Sequence, residues 1–255
     1  MKVRVLGCSG GVNQDMATTS FLVDEDILID AGTGVGTLPL GEMRHIKHIF
    51  ITHSHLDHIV SIPLLVDTLF ENLIGQPLVV HALPETIKAL QEHIFNWTIW
   101  PDFTRLPDKT NTVIKLEPMT PGSVVELAGR QIEMIGVNHS VPAVGYRVAA
   151  EGKAFAFSGD TTSNENLWVS LNRHDSLDLL FVESAFANKD IELAKIAFHY
   201  CPRLLAEDLP KLKHKTKVCI SHLKPGDEQE IIEQCKAALP DWDIHQLKSG
   251  DVFQL

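Results

Sequence analysis

The chain has 255 residues, with 22 Lys or Arg against 33 Asp or Glu, so its net charge is −11 with histidine neutral. Apolar residues make up 44% and charged residues 22%, an ordinary globular composition in a chain long enough to build a large core without crosslinks. The acidic balance argues against a surface built to coat nucleic acid or an anionic membrane, but it leaves room for a small anion at a local cationic site.

From the N-terminus, 3–6 reads as a short apolar strand that reaches Gly7-Cys8-Ser9-Gly10-Gly11 too soon to be a signal peptide. Segments 20–23 and 27–30 flank the acidic turn Asp24-Glu25-Asp26 as a hairpin. Strand 48–51 runs into Thr52-His53-Ser54-His55-Leu56-Asp57-His58, and 59–71 carries Ile59, Ile62, Leu65, Val66 and Leu69 at helical spacing. A strand at 78–81 and a helix at 84–93, with Pro84 in its first turn, follow. The middle is rich in strands (113–116, 123–127, 131–137, 144–149, 153–157), punctuated by Gly122, Gly129 and Gly152. The last third alternates: strand 179–182, helix 202–209, strand 217–220, helix 228–239 and a closing strand near 252–254.

Strand-rich blocks interleaved with helices, twice over, predict a layered α/β (α+β) fold in which two β-sheets pack together with helices outside. No linker or repeat divides 1–255, which is expected to be one domain. No stretch approaches a membrane span. Cys8, Cys201, Cys219 and Cys235 form no paired motif, which fits reduced thiols in a cytoplasmic protein. The basic run 211–217 is expected to be a solvated loop.

The unusual number is 13 histidines. His53-x-His55-x-Asp57-His58 puts four ligand-capable side chains in six residues at a strand's end. Burying three imidazoles and a carboxylate together is costly without a metal or other partners. In an extended segment residues two apart point the same way, so His53 and His55 can share one ion, while Asp57 and His58, past the turn, face a second. Three later strand ends supply His139, Asp160 (in Phe157-Ser158-Gly159-Asp160-Thr161) and His222 (in Ile220-Ser221-His222-Leu223-Lys224-Pro225), making seven ligands for two ions. His45, His48, His81, His93, His174, His214 and His245 have no partners at ligand spacing and read as incidental.

This constellation resembles that of the metallo-β-lactamase superfamily, along nearly the whole chain. The resemblance implies an αββα sandwich of two mixed sheets with the metals at one edge. His53, His55 and His139 would hold the first metal, Asp57, His58 and His222 the second, and Asp160 would bridge them. Asp30, in Leu28-Ile29-Asp30-Ala31-Gly32, matches a position that braces the ligand loop. Zinc is the default for such a nitrogen-rich donor set, with manganese and iron as alternatives. Two such ions lower the pKa of a shared water toward about 7 and neutralise a phosphodiester, so an acidic protein can bind an anion there.

Three segments narrow the resemblance to class II cyclic-nucleotide phosphodiesterases. They are Phe95-Asn96-Trp97-Thr98-Ile99-Trp100-Pro101, His55-Leu56-Asp57-His58-Ile59-x-Ser61-Ile62 and His222-Leu223-Lys224-Pro225. Pro63 and Val66-Asp67 depart from that family's signature, on the helix and not on the ligands. Trp97 or Trp100 would stack on a purine or else pack the loop onto the core, and Lys224 is a candidate substrate contact. Glu183 and His199 resemble a Glu–His pair of related phosphodiesterases and tRNA 3′-end endonucleases, and such a pair supplies a general acid. Phe198 and Cys201 stand where those relatives tend to have glycine and a small hydroxyl residue.

The expected activity is hydrolysis of 3′,5′-cyclic nucleotides to 5′-nucleotides, with Asp57, Glu183 and His199 as catalytic residues. The expected substrate is a small molecule, with no nucleic-acid polymer and no membrane as partner, and a homodimer is compatible with the sequence. The alternatives are a tRNA 3′-end endonuclease, which would be expected to carry a long basic arm, a thioesterase or lactonase, which would leave Glu183 and His199 idle, and a non-catalytic metal-stabilised scaffold.

Overall fold

The layering follows from alternation along the strands. Successive strand side chains point to opposite faces, and in Phe21-Leu22-Val23 and Ile27-Leu28-Ile29 both faces are apolar, so each sheet must be covered on both sides. The computed structural model describes residues 1–255. It has strands β1 (Lys2–Gly7), β2 (Ser20–Val23), β3 (Ile27–Ile29), β4 (His48–Phe50), β5 (Leu78–Ala82) and β6 (Ile114–Pro118) in a first sheet. Strands β7 (Val124–Leu127), β8 (Arg130–Val137), β9 (Ala143–Ala150), β10 (Lys153–Phe157), β11 (Leu179–Glu183), β12 (Lys217–Ser221) and β13 (Asp243–Gln246) form the second, and β14 (Val252–Gln254) crosses back to the edge of the first beside β1.

Each sheet is mixed in the same way. From β14 to β3 the pairs are antiparallel, and from β3 to β6 they are parallel. From β7 to β10 they are antiparallel, and from β10 to β13 parallel. Phe21, Phe50, Tyr146, Phe155, Phe157 and Phe181 fill the space between the sheets. On the outer face of the first sheet, Leu28, Ile49 and Val80 meet Ile59, Ile62, Leu65 and Val66 of the helices after β4. On the outer face of the second, Ala156, Leu180 and Ile220 meet Leu167, Trp168, Leu205 and Ile231. The result is the αββα sandwich that the strand order and the resemblance both imply.

Parallel neighbours β3, β4 and β5, and β10 to β13, end on the same side, so the loops after β3, β4, β8, β10, β11 and β12 can share one edge. Those loops carry the candidate residues.

Several local expectations need correction. The helix expected over 59–71 is three short pieces, Leu56–Ile59, Ser61–Thr68 and Phe70–Leu73. Pro63 lies in the first turn of Ser61–Thr68, where a missing N–H costs little, so this departure from the family signature is structurally benign. The helix over 84–93 is regular only across Pro84–Ala89 and widens into a π-turn at Leu90–Ile94. Helices Asn166–Leu171 and Ile191–Ala197 and strand β13 were not anticipated, being too short to show a period. No helix is long and apolar enough to cross a membrane, and all four cysteines are free and buried.

Candidate metal centre

β3 stops one residue earlier than expected because Asp30 turns into the left-handed region, with φ 56°. The turn aims its carboxylate at the loop after the neighbouring strand. Oδ1 accepts from the Thr52 amide at 2.8 Å, and Oδ2 accepts from Thr52 Oγ1 at 2.8 Å and His58 Nδ1 at 2.7 Å. The Asp30 amide donates to Phe50 O and the Ala31 amide to His58 O. Asp30 is fully buried, and the brace expected of it is present. Hydrogen bonds to a charged group contribute about 1.5–3 kcal/mol each, so this carboxylate fixes the ligand loop at both ends.

The same contacts decide which ring nitrogens face the site. With Nδ1 of His58 held by Asp30, its Nε2 points at Asp160 Oδ2 (3.3 Å) and Asp57 Oδ2 (3.6 Å). Thr52 Oγ1 gives its proton to Asp30 and accepts from His53 Nδ1 at 3.0 Å, which leaves His53 Nε2 bare, 3.7 Å from Asp160 Oδ2. His139 Nδ1 donates to Phe198 O at 2.9 Å, and its Nε2 faces His55 Nδ1 at 3.2 Å. His222, with its backbone amide on Cys8 O, places Nε2 3.3 Å from Asp160 Oδ2 and 4.0 Å from Asp57 Oδ2. Imidazoles oriented from behind in this way are the usual support of metal ligands.

Ligand atoms of His53, His55 and His139 lie within 4.8 Å of one another, as do those of Asp57, His58, Asp160 and His222. The seven residues singled out in the sequence therefore converge as two adjoining groups, with Asp160 facing His53 of one and His58 and His222 of the other. The donor set fits divalent ions. His53 Nε2, His58 Nε2 and Asp160 Oδ1 are buried with no hydrogen-bond partner, a state costing about 1–3 kcal/mol per group. Donors sharing a tetrahedral ion at ordinary bond lengths stand about 3.4 Å apart, close to the 3.2–3.3 Å spacings of these nitrogens and oxygens.

Electrostatics agree for His53, His139 and His222. Burial and the other imidazoles hold His53 well below the usual range, and burial brings His139 to about 4 and His222 to about 3, so these rings are neutral donors near pH 7. Burial raises the Asp160 carboxyl, but His222, His58 and His53 outweigh it and keep the group ionised. His58 is held well above its usual value because Asp160 and Asp30 overcome its burial.

Beside these groups Glu183, at the end of β11, is fully buried and accepts His199 Nδ1 at 2.8 Å. Its oxygens also accept the amides of Thr161 (2.9 Å), Ala185 (3.0 Å) and Tyr200 (3.3 Å). Burial disfavours the His199 imidazolium, yet the Glu183 carboxylate raises its pKa above the ordinary value. The ring stacks on His222 with centroids 5.3 Å apart and lies within ligand distance of His139 and Asp160. Lys224 Nζ donates to Gly10 O at 2.8 Å and sits 5.9 Å from the Phe186 ring centre.

The aromatic loop divides. Phe95 and Phe103 are buried in the outer core of the first sheet, and Trp100 packs against it. Trp97 is 60% exposed at a left-handed turn. Packing accounts for Trp100, and Trp97 is the more exposed of the two.

Sequence reasoning missed Thr52, whose hydroxyl sets the His53 tautomer, and the Phe198 carbonyl, which sets that of His139. Thr52 stands beside the motif, but no spacing rule marks it. Phe198 adopts φ 58° at the end of helix Ile191–Ala197, which costs a residue with a β-carbon about 1–2 kcal/mol and accounts for the glycine expected there. At Gly10 a β-carbon would lie 2.6 Å from His222 O, a close approach that no sequence pattern marks. Two histidines read as incidental are partners instead: His48 Nδ1 meets His81 Nε2 at 3.1 Å across β4 and β5, and His81 stacks on Phe50.

The chain matches the profile of the β-lactamase superfamily domain over residues 25–238. It is 25% identical to a probable 3′,5′-cyclic-nucleotide phosphodiesterase of Yersinia pestis, over 89% of this chain and 79% of that protein. It is 29% identical to a ribonuclease Z of Halorubrum lacusprofundi over 66% of this chain and 53% of that protein. Its fold matches the crystal structure of unliganded yeast PDE1 with a TM-score of 0.84 at 18% identity, covering 100% of this chain and 99% of that one.

Proposed function

The chain belongs to the metallo-β-lactamase superfamily of metal-dependent hydrolases, and on that footing we propose that its 255 residues act as one dinuclear-metal phosphodiesterase that converts 3′,5′-cyclic nucleotides to 5′-nucleotides. The observation that carries the reading is the Glu183–His199 pair, 2.8 Å apart, set directly against the ligand groups. A thioester, which expels a weakly basic thiolate, has no need of an acid there, whereas an alkoxide leaving from phosphorus does.

Two divalent ions, zinc by the donor set, would be held by His53, His55 and His139 and by Asp57, His58 and His222, with Asp160 between them. When bound they activate the nucleophile and neutralise charge on the phosphoryl oxygens. The rest falls to the chain's own side chains. Glu183, already satisfied by three amides, holds the His199 ring with Nδ1 protonated, so the other ring nitrogen carries the proton given to O3′ of the sugar. Asp57, the most exposed of the acidic ligands, orients the attacking water. Lys224 keeps its ammonium at the Gly10 carbonyl with donors to spare for a phosphate oxygen. Trp97 offers a π-face to the base. The net charge of −11 favours a small anion over a polymer, and four reduced, buried cysteines suit the cytoplasm.

The test is a panel of cyclic AMP, cyclic GMP, 2′,3′-cyclic nucleotides and a tRNA precursor. Turnover of a 3′,5′-cyclic nucleotide to the 5′-nucleotide is expected. Cleavage of the tRNA precursor without any 3′,5′-cyclic turnover would replace this reading with that of a tRNA 3′-end nuclease.

A further inference from the structure

His199 is held by more than Glu183. The next residue, Tyr200, is fully buried, and its hydroxyl donates to Asp208 Oδ2 at 2.6 Å, reaching past the whole length of helix Pro202–Asp208. Asp208, itself 3% exposed, accepts on the same oxygen from the amide of Asn164 at 3.1 Å, and on Oδ1 from Lys211 Nζ at 2.9 Å. The Asn164 side chain in turn donates to Thr161 Oγ1 at 3.0 Å, one residue beyond Asp160. Thr161 closes the circuit twice: its amide donates to Glu183 Oε1, and its hydroxyl accepts from the amide of Asn138, next to His139. One buried carboxylate thus ties the loop bearing His199 to the loops bearing Asp160 and His139, none of which is adjacent to it in sequence.

This tie adds to the few bonds that hold the His199 loop directly. Helix Ile191–Ala197 ends in the left-handed Phe198, and the chain turns at once into Pro202. Around those points the Phe198 carbonyl accepts from His139 Nδ1, the His199 amide donates to Ala194 O, the Tyr200 carbonyl accepts from the Phe186 amide at 3.5 Å, and the Tyr200 amide donates to Glu183 Oε2, at 3.3 Å the longest bond to that carboxylate. A ring that must meet a leaving oxygen tolerates little displacement, and a shift of about 1 Å in a catalytic group costs on the order of a hundredfold in rate.

We propose that Tyr200 and Asp208 are positioning residues: their buried hydrogen bond clamps the His199 loop to the Asp160 loop and so keeps the His199 ring on the leaving-group side of the reaction. The inference rests on the phosphodiesterase reading for its kinetic consequence, but not for the clamp itself.

The test is Tyr200→Phe in the metal-loaded protein, compared on cyclic AMP, whose leaving sugar oxygen needs a proton, and on bis(4-nitrophenyl) phosphate, whose leaving group does not. The expected result is a kcat on cyclic AMP lower by roughly tenfold, with KM and the rate on the aryl diester within about twofold and metal content unchanged. A purely structural role would lower both substrates together, and that outcome, or no change in either, overturns the proposal. Should Tyr200→Phe lose its cooperative melting, Asp208→Asn carries the same comparison. A second readout is independent of substrate: the His199 Nδ1 proton bonded to Glu183 should give a deshielded NMR resonance that broadens or moves in Tyr200→Phe. If wild-type protein leaves cyclic AMP untouched, the substrate reading fails, and this resonance alone decides the clamp: an unaltered signal refutes it.

Discussion

Asp160→Ala is expected to lower phosphodiester hydrolysis by about a thousandfold, a loss of some 4 kcal/mol of transition-state stabilisation, and to reduce bound metal below two ions per chain. Asp160 Oδ2 stands 3.3 Å from the Nε2 atoms of both His58 and His222, and 3.7 Å from that of His53, so this carboxylate addresses both ligand groups. With Asp30 it is also the counter-charge that keeps His58 above its ordinary pKa despite complete burial. Asp160→Asn, nearly the same shape with no charge, should follow the alanine variant in metal content, because the ionised oxygen is what a divalent ion requires. Metal analysis alongside kcat checks both. Two ions retained at the wild-type rate would remove Asp160 from the centre.

The second large effect falls on one class of substrate. His199→Ala is expected to slow cyclic AMP hydrolysis by about 10²–10⁴-fold, the range of a positioned general acid, and to leave an aryl phosphodiester within about tenfold. Nitrophenolate leaves without a proton, whereas the sugar O3′ does not. The alanine variant also strands the Glu183 carboxylate, which keeps its three amide donors but loses its imidazole partner in full burial. A melting curve should therefore accompany the kinetics. Equal losses on both substrates, with metal content intact, would take the general-acid role from His199.

Much of the site is legible in the sequence because strand-end loops gather there. His53, His55, Asp57 and His58 stand together after β4, and His139, Asp160 and His222 each follow a strand whose apolar run is plain. Glu183 closes β11, and its partner His199 is found only through family resemblance, since sixteen residues and a helix separate them in the chain. What stays hidden is the backbone that orients the rings. Nothing in Phe198-His199-Tyr200 announces that Phe198 takes a left-handed conformation so that its carbonyl meets His139, or that Tyr200 reaches forward to Asp208. The His48–His81 pair is invisible for a different reason. It depends on the register between β4 and β5, which local patterns do not fix. Strand β13, Asp243-Ile244-His245-Gln246, buries only Ile244 and so shows no apolar alternation, and its place at the sheet edge comes from parallel pairing with β12.

Titrating metal into protein stripped by chelation, while following cyclic AMP hydrolysis and bound metal together, tests the dinuclear phosphodiesterase most directly. The stripped protein is expected to be inert, and activity should appear as occupancy approaches two ions per chain, with 5′-AMP as product. Hydrolysis that persists without metal would contradict it, as would a fully loaded protein that cleaves no phosphodiester.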